Sequence, residues 1–158
     1  MAQHLEIERK FLVKALPRGW KGRSHSKIAQ GYLPCGGTGV SVRLRTKDAK
    51  HVLTVKAGRG RRRVEEEIDI KSKSFEALWP LTKGARVTKT RYEIPLSKQT
   101  IDLDIYHGKL RGLTIAEVEF DSERASHDFK PPSWFDREVT ADQNYANECL
   151  ARGRRRPR

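Results

Sequence analysis

The sequence predicts an α+β domain, mainly β, in which eight antiparallel strands close into a barrel and helices pack outside it. Three observations lead there. Eight stretches alternate apolar and polar side chains with the period of two that a half-buried strand requires. Most are separated by short turn signals such as CGGTG, KDAK and GRGR, which suit hairpins. One face of the strands is also so densely charged that an open, solvated sheet accommodates it poorly.

The first strand lies in HLEIERKFLV, where Glu6, Glu8 and Lys10 point one way and Leu5, Ile7 and Phe11 the other, with Arg9 out of pattern. KIAQGYL, VSVRLRT, HVLTVKA and RRVEEEIDI follow as the second to fifth strands. SFEALWPLTKG then reads as a helix: Phe75, Leu78 and Trp79 fall at helical spacing, and Lys83 and Gly84 are stop signals. ARVTKTRYEIPL, TIDLDIYHG and LTIAEVEF supply the last three strands. KPPSWF is extended or turning, because paired prolines cannot join a helix interior. A second helix begins in TADQNYANECLA, with Thr140 and Gln143 as a capping box. No internal repeat or Pro/Gly/Ser-rich linker divides the chain, so residues 1–150 read as one domain and 151–158 as a basic tail expected to be disordered.

Composition narrows the function. The 158 residues carry a net charge of +13, five of those charges being arginines of the terminal ARGRRRPR, which favours polyanionic partners without choosing among them. Nucleic acid is a candidate partner only through that tail, and a solubilising role for it is an equal alternative. The first residues carry acids where a signal peptide needs an apolar run, and no stretch approaches the roughly 18 apolar residues of a membrane span, which makes the cytoplasm the expected location and a membrane partner unexpected. Cys35 and Cys149 form neither a disulfide framework nor a metal pair. GGTGVS lacks the spacing of a P-loop, and His4, His25, His51, His107 and His127 are scattered without zinc-ligand spacing.

The charged face repeats one device: two charges at i and i+2, flanked by apolar residues of opposite parity. After Glu6, Glu8 and Lys10 come Arg43 and Arg45, Glu65 and Glu67, Lys89 and Arg91, Asp102 and Asp104, and Glu117 and Glu119, with Lys56 a single base. Eight carboxylates therefore share a face with six bases. Like charges placed side by side destabilise a sheet, and the two available offsets are interleaved cations and bound metal ions. A barrel turned inside out, with charges lining the lumen and apolar residues outward, satisfies both. Repulsion among the carboxylates is expected to raise some of their pKa values.

Glu6, Ile7, Glu8, Arg9 and Lys10 match the ExExK signature of the CYTH family, the triphosphate tunnel metalloenzymes, which this sequence resembles from Leu5 to about Leu150. QGYL, RLR, TVK, EEE, FEALWP, KTRYE, DLD and EVEF follow in that family's order. The resemblance implies a closed eight-stranded tunnel barrel and a metal-dependent hydrolase that cleaves inorganic triphosphate to pyrophosphate and phosphate, of the compact bacterial type. It implies Glu6, Glu8 and Glu119 as ligands of a first Mg2+ or Mn2+, and Glu65, Glu67, Asp102, Asp104 and Glu117 as holders of a second ion or of the attacking water. Lys10, Arg43, Arg45, Lys56, Lys89 and Arg91 would clamp the phosphates, with Glu6, Glu8, Lys10, Arg45, Lys89 and Arg91 the catalytic set; Tyr32 is a further lumen candidate. The alternatives are an adenylate cyclase or a thiamine or nucleoside triphosphatase on the same fold, and a noncatalytic polyphosphate or nucleic-acid binding module.

Overall fold

The computed structural model describes residues 7–59, 62–153 and 157. Nine strands form one antiparallel sheet: β1 (Ile7–Val13), β2 (His25–Tyr32), β3 (Val40–Lys47), β4 (Lys50–Arg59), β5 (Arg62–Asp69), β6 (Arg86–Leu96), β7 (Gln99–Tyr106), β8 (Thr114–Phe120) and β9 (Phe135–Glu138). Their spatial order is β5-β4-β3-β2-β6-β7-β8-β1-β9. All eight predicted strands are present, but the barrel is neither closed nor eight-stranded. The physical reason is β9, a four-residue strand after the paired prolines, which takes the free edge of β1 (Phe11 opposite Glu138, Val13 opposite Phe135) where β5 would have to dock for closure. Carboxylates on β5 (Glu65, Glu66, Glu67, Asp69) make its open edge an unfavourable template for another strand.

Arg9 accounts for the attachment of β9. It points outward with the apolar residues, donates from Nε and Nη2 to Glu138 at 2.9 and 2.7 Å and from Nη1 to the Ser126 carbonyl at 2.9 Å, and lies over the rings of Phe11 and Phe129. One guanidinium thus joins β1, β9 and the short helix α2 (Glu123–Asp128), which the sequence reading missed and which Ser122 caps by accepting from the Ala125 N–H. Thr140 does not open a helix. Its hydroxyl accepts from the Lys10 N–H and donates to Glu138, extending the β1–β9 ladder, while Asp142 caps a single 3-10 turn at Gln143–Tyr145 ahead of α3 (Asn147–Arg152). The predicted helix over FEALWP is α1 (Ser72–Leu78) followed by a 3-10 turn to Thr82, with Phe75 stacked between His51 and Trp79.

Apolar side chains gather in two places. On the convex face Phe11, Ile94, Ile101, Leu103, Ala116, Val118, Phe120 and Phe135 form one cluster, joined by Trp20, Phe129 and Trp134 from the covering segments. The second cluster was not foreseen. Tyr32, Val87, Tyr106, Ile115 and Leu12 share strand parity with the charged residues, so they lie on the concave face, and they pack with Tyr145, Leu150 and Ala151. Helix α3 therefore stops one end of the trough from within instead of packing outside it. Tyr106 Oη donates to Asn147 Oδ1 at 2.7 Å, and Lys109 Nζ donates to the carbonyls of Ala151 and Gly153 at the helix end, fixing the plug. Among the described residues, no helix is long and apolar enough to cross a membrane.

Gly31, in QGYL, is required by space rather than by backbone angle: a Cβ there would stand 2.5 Å from Thr82 Oγ1, and Thr82 is fully buried. Gly31→Ala is expected to lower the free energy of unfolding in urea by about 1–3 kcal/mol. Gly36→Ala, where a Cβ meets nothing within 4 Å, should stay within about 0.5 kcal/mol of wild type. Equal behaviour of the two variants would contradict the packing described.

Candidate functional site

The concave face holds a cleft of about 1120 Å3. Residues from β5 at one end of the sheet and from β1 and β8 near the other line the same space, so the sheet curls around it although its edges do not pair. Glu8, Lys10, Arg43, Arg45, Lys56, Glu65, Glu67, Lys89, Arg91, Asp102, Glu117 and Glu119 all reach this lining, as the alternating pattern requires. Tyr32 does too, with Gln30 Nε2 donating to its hydroxyl at 2.9 Å. Glu6 lies outside the described residues. Asp104 sits deeper: it is 0% exposed and does not line the cleft, because both its oxygens face Lys89 and Arg91 in the layer beneath.

The two sides of the cleft are compensated unequally. On the β3–β5 side Arg43, Arg45 and Lys56 face two carboxylates. Glu67 Oε1 alone serves Arg43 at 3.2 Å and Arg45 at 3.5 Å, with Thr54 Oγ1 donating to the same oxygen at 3.1 Å, while Lys56 pairs with Glu65 at 2.9 Å. Among the described residues, the buried Nε atoms of Arg43 and Arg45 have no hydrogen-bond partner. Burial, and after it the neighbouring Arg43 charge, push the Arg45 guanidinium below its ordinary pKa against the pull of Glu67.

On the β1, β6, β7 and β8 side the balance reverses: Lys10, Lys89 and Arg91 meet Glu8, Asp102, Asp104, Glu117 and Glu119. Arg91 reaches Asp104 through Nε and Nη2, Asp102 through Nη1 and Glu117 through Nη2, each at 2.7 Å. Lys89, 3% exposed, pairs with Asp104 at 2.5 Å. Lys10 bridges Glu8 at 3.1 Å and Glu117 at 3.5 Å. Glu8 and Glu119 are direct cross-strand partners in the β1–β8 ladder, and Glu119 forms no ion pair among the described residues. No group of three or more His, Cys, Asp or Glu side chains able to hold a metal ion is assembled among the described residues.

These contacts divide the carboxylates. Burial and the neighbouring Asp104 and Glu117 charges raise the pKa of Asp102 against the pull of Arg91, as crowding predicts. Burial also opposes ionisation of Glu117, but Lys89, Lys10 and Arg91 outweigh it and hold that carboxyl well below the usual range.

Several lining residues were not anticipated: Lys98, Gln99 and Thr100 of the β6–β7 hairpin, Asp121 after β8, Ser41 of β3, and Asn147 and Glu148 of α3. Ser41 Oγ donates to Glu148 Oε2 at 2.8 Å, and Arg152 Nη2 donates to Glu148 Oε1 at 2.9 Å and to the Leu33 carbonyl at 3.2 Å, which ties the plug to the rim. Ser41 carries the strand parity of Arg43, the one signal by which sequence could have found it.

Because the Glu117 carboxyl titrates lower in the fold than in the unfolded chain, its stabilisation is present above about pH 4.3 and disappears as pH falls through its folded value. Glu117→Gln should therefore cost on the order of 3 kcal/mol in urea unfolding at pH 7. The gap between variant and wild type should shrink steadily as pH falls from about 5 toward 2. A gap independent of pH would contradict the ion-pair assignment. Asp102 titrates with the opposite sign, so the informative quantity is the difference between proteins and not the wild-type curve.

The CYTH domain matches residues 4–147 of the chain. An inorganic triphosphatase of Nitrosomonas europaea is 45% identical over 148 residues, covering 92% of this chain and 96% of that protein. An inorganic triphosphatase of Acetivibrio thermocellus is 35% identical over 154 residues, covering 93% of each. The crystal structure of an inorganic triphosphatase superposes with a TM-score of 0.75 at 42% identity, covering 97% of both chains. A putative adenylate cyclase from Bacillus halodurans, at 16% identity and a TM-score of 0.58, shares the fold alone. With the family's domain matched over most of its length, the chain belongs to the CYTH family.

Proposed function

We propose that this protein is a divalent-metal-dependent inorganic triphosphatase, which hydrolyses tripolyphosphate to pyrophosphate and phosphate in the concave cleft. The observation that carries the reading is the unequal compensation of the two sides. Surplus guanidinium charge, with buried donors that have no partner among the described residues, suits phosphate oxygens on one side, and surplus carboxylate on the other suits a cation. A pure polyanion binder has no use for the acids, and a site for a metal alone has no use for Arg43 and Arg45. The identity of the Nitrosomonas europaea and Acetivibrio thermocellus enzymes supports the same substrate.

The residues fit a hard divalent ion. Glu8 and Glu119 face each other in register and offer carboxylate oxygens, and Mg2+ is ordinarily bound by one or two carboxylates together with substrate phosphates and water, which requires no dedicated cage. Glu8 and Glu119, with Glu6 the third expected donor, would hold Mg2+ or Mn2+, which would supply Lewis-acid polarisation of phosphate oxygens. Everything else falls to the chain's own side chains. Arg43 and Arg45 take phosphate oxygens by forked hydrogen bonds, and Lys56 and Lys10 act as point charges. Asp102, Asp104 and Glu117 hold Arg91 and Lys89 in fixed positions, so these cations need little reorganisation as charge moves onto the leaving oxygens. In the reaction a water oxygen bonds to the terminal phosphorus, the bridging P–O bond breaks, and pyrophosphate leaves. Such a transfer needs alignment and charge stabilisation more than covalent help. The α3 plug closes one end against bulk water.

The test is purified protein incubated with tripolyphosphate, ATP, thiamine triphosphate or pyrophosphate, each with Mg2+ or Mn2+, and the products identified. Tripolyphosphate should be cleaved fastest, and only with metal; rapid turnover of ATP with tripolyphosphate untouched would overturn the reading. Arg45→Ala and Glu8→Ala should keep a wild-type circular dichroism spectrum, since Arg45 leaves behind no carboxylate without a base and Glu8 is partly exposed. Each should lose metal-dependent phosphate release by on the order of 100-fold. Unchanged turnover in both would defeat the assignment.

A further inference from the structure

The hairpin between β6 and β7 turns through only two residues, Ser97 and Lys98, because Leu96 and Gln99 are already cross-strand partners. Ser97 sits at φ 54, in the left-handed region that non-glycine residues seldom occupy. That strained turn carries Lys98, Gln99 and Thr100 into the lining of the cleft. The register fixes which rim this is: Asp102 lies opposite Glu117 in the β7–β8 ladder, and Glu119 opposite Glu8 in the β8–β1 ladder. The hairpin therefore stands at the acid-rich end of the cleft, beside Glu8, Glu119 and Asp121, away from the α3 plug.

Lys98 differs from the other basic residues of the lining in one respect. Lys10, Arg43, Arg45, Lys56, Lys89 and Arg91 each pair with at least one carboxylate, whereas Lys98 forms no ion pair among the described residues. Its charge is not cancelled by a neighbour, and it stands on a rim whose other charged groups repel a polyanion. We propose that Lys98 is the mouth cation of this cleft: it draws the polyphosphate chain past the acidic rim and holds the phosphate not engaged by the inner bases, setting affinity for tripolyphosphate rather than the rate of cleavage. This rests on the triphosphatase reading for its substrate.

The experiment is steady-state phosphate release from tripolyphosphate with Mg2+ by wild type, Lys98→Ala, Lys98→Glu and Lys98→Arg. Lys83→Ala, which removes the same charge outside the cleft, is the control. Lys98→Ala should raise KM about three- to fivefold, as expected for an exposed charge contact, with kcat within about twofold of wild type. Lys98→Glu should raise KM further, Lys98→Arg should restore it, and Lys83→Ala should leave it unmoved. The differences should fade at about 0.5 M salt, where exposed charges are screened within a few ångströms. A KM for Lys98→Ala and Lys98→Glu equal to that of Lys83→Ala, or a fall in kcat at constant KM, would overturn the proposal. If wild type releases no phosphate, the hydrolase reading fails by itself, and calorimetric dissociation constants for tripolyphosphate across the same variants still decide the role of Lys98.

Discussion

The constraint on which this molecule turns is that charge inside the trough is compensated unequally from one side to the other. Removing ions from water is costly, and a protein retains them only where partners offset the loss. On the β6–β8 side the offset is nearly complete: Arg91 is surrounded by three carboxylates and Lys89 is locked to Asp104, so these groups behave as a rigid ionic layer. On the β3 side one oxygen of Glu67 serves two guanidinium groups, and two Nε atoms have no partner among the described residues. The fold carries a standing electrostatic deficit there that a bound anion would relieve, and a standing surplus of acid at Glu8 and Glu119 that a cation would relieve. A metal–triphosphate complex would satisfy both at once.

The scaffold exists to hold that imbalance in place. Strand alternation sends the apolar residues of β1, β7 and β8 to the convex cluster and their charged neighbours inward. Near α3 the inner face itself turns apolar, and the buried Lys89–Asp104 pair lies next to that boundary, where Tyr106 packs against the lysine. Closure of the sheet is not needed for any of this. β9 takes the edge of β1, Arg9 fastens β9 to α2, and the cleft is enclosed by curvature and by the α3 plug.

Much of this was legible in the sequence, because a period of two assigns residues to a face whether or not a barrel closes. Glu8, Lys10, Arg43, Arg45, Glu65, Glu67 and the others reached one cleft on that basis alone. Parity cannot report depth: Asp102 and Asp104 share a face, yet Asp104 sits in a buried ionic layer because Lys89 and Arg91 come from the adjacent strand. Closure was misread because it depends on which segment wins the edge of β1, and FDRE is too short to show alternation. The α3 plug was misread because Tyr32, Tyr106 and Ile115 look like ordinary strand packing until a helix covers them. Lys98 escaped notice because a turn residue has no face to be assigned to.

The most direct measurement of the central claim is a crystal of the protein grown with tripolyphosphate and Mn2+, with the ion located by its anomalous scattering. The account predicts phosphate oxygens against Arg43 and Arg45 and manganese against Glu8 and Glu119, on opposite sides of one cleft. Manganese among the β3–β5 side chains, or a polyphosphate bound on the convex face with the cleft empty, would contradict it.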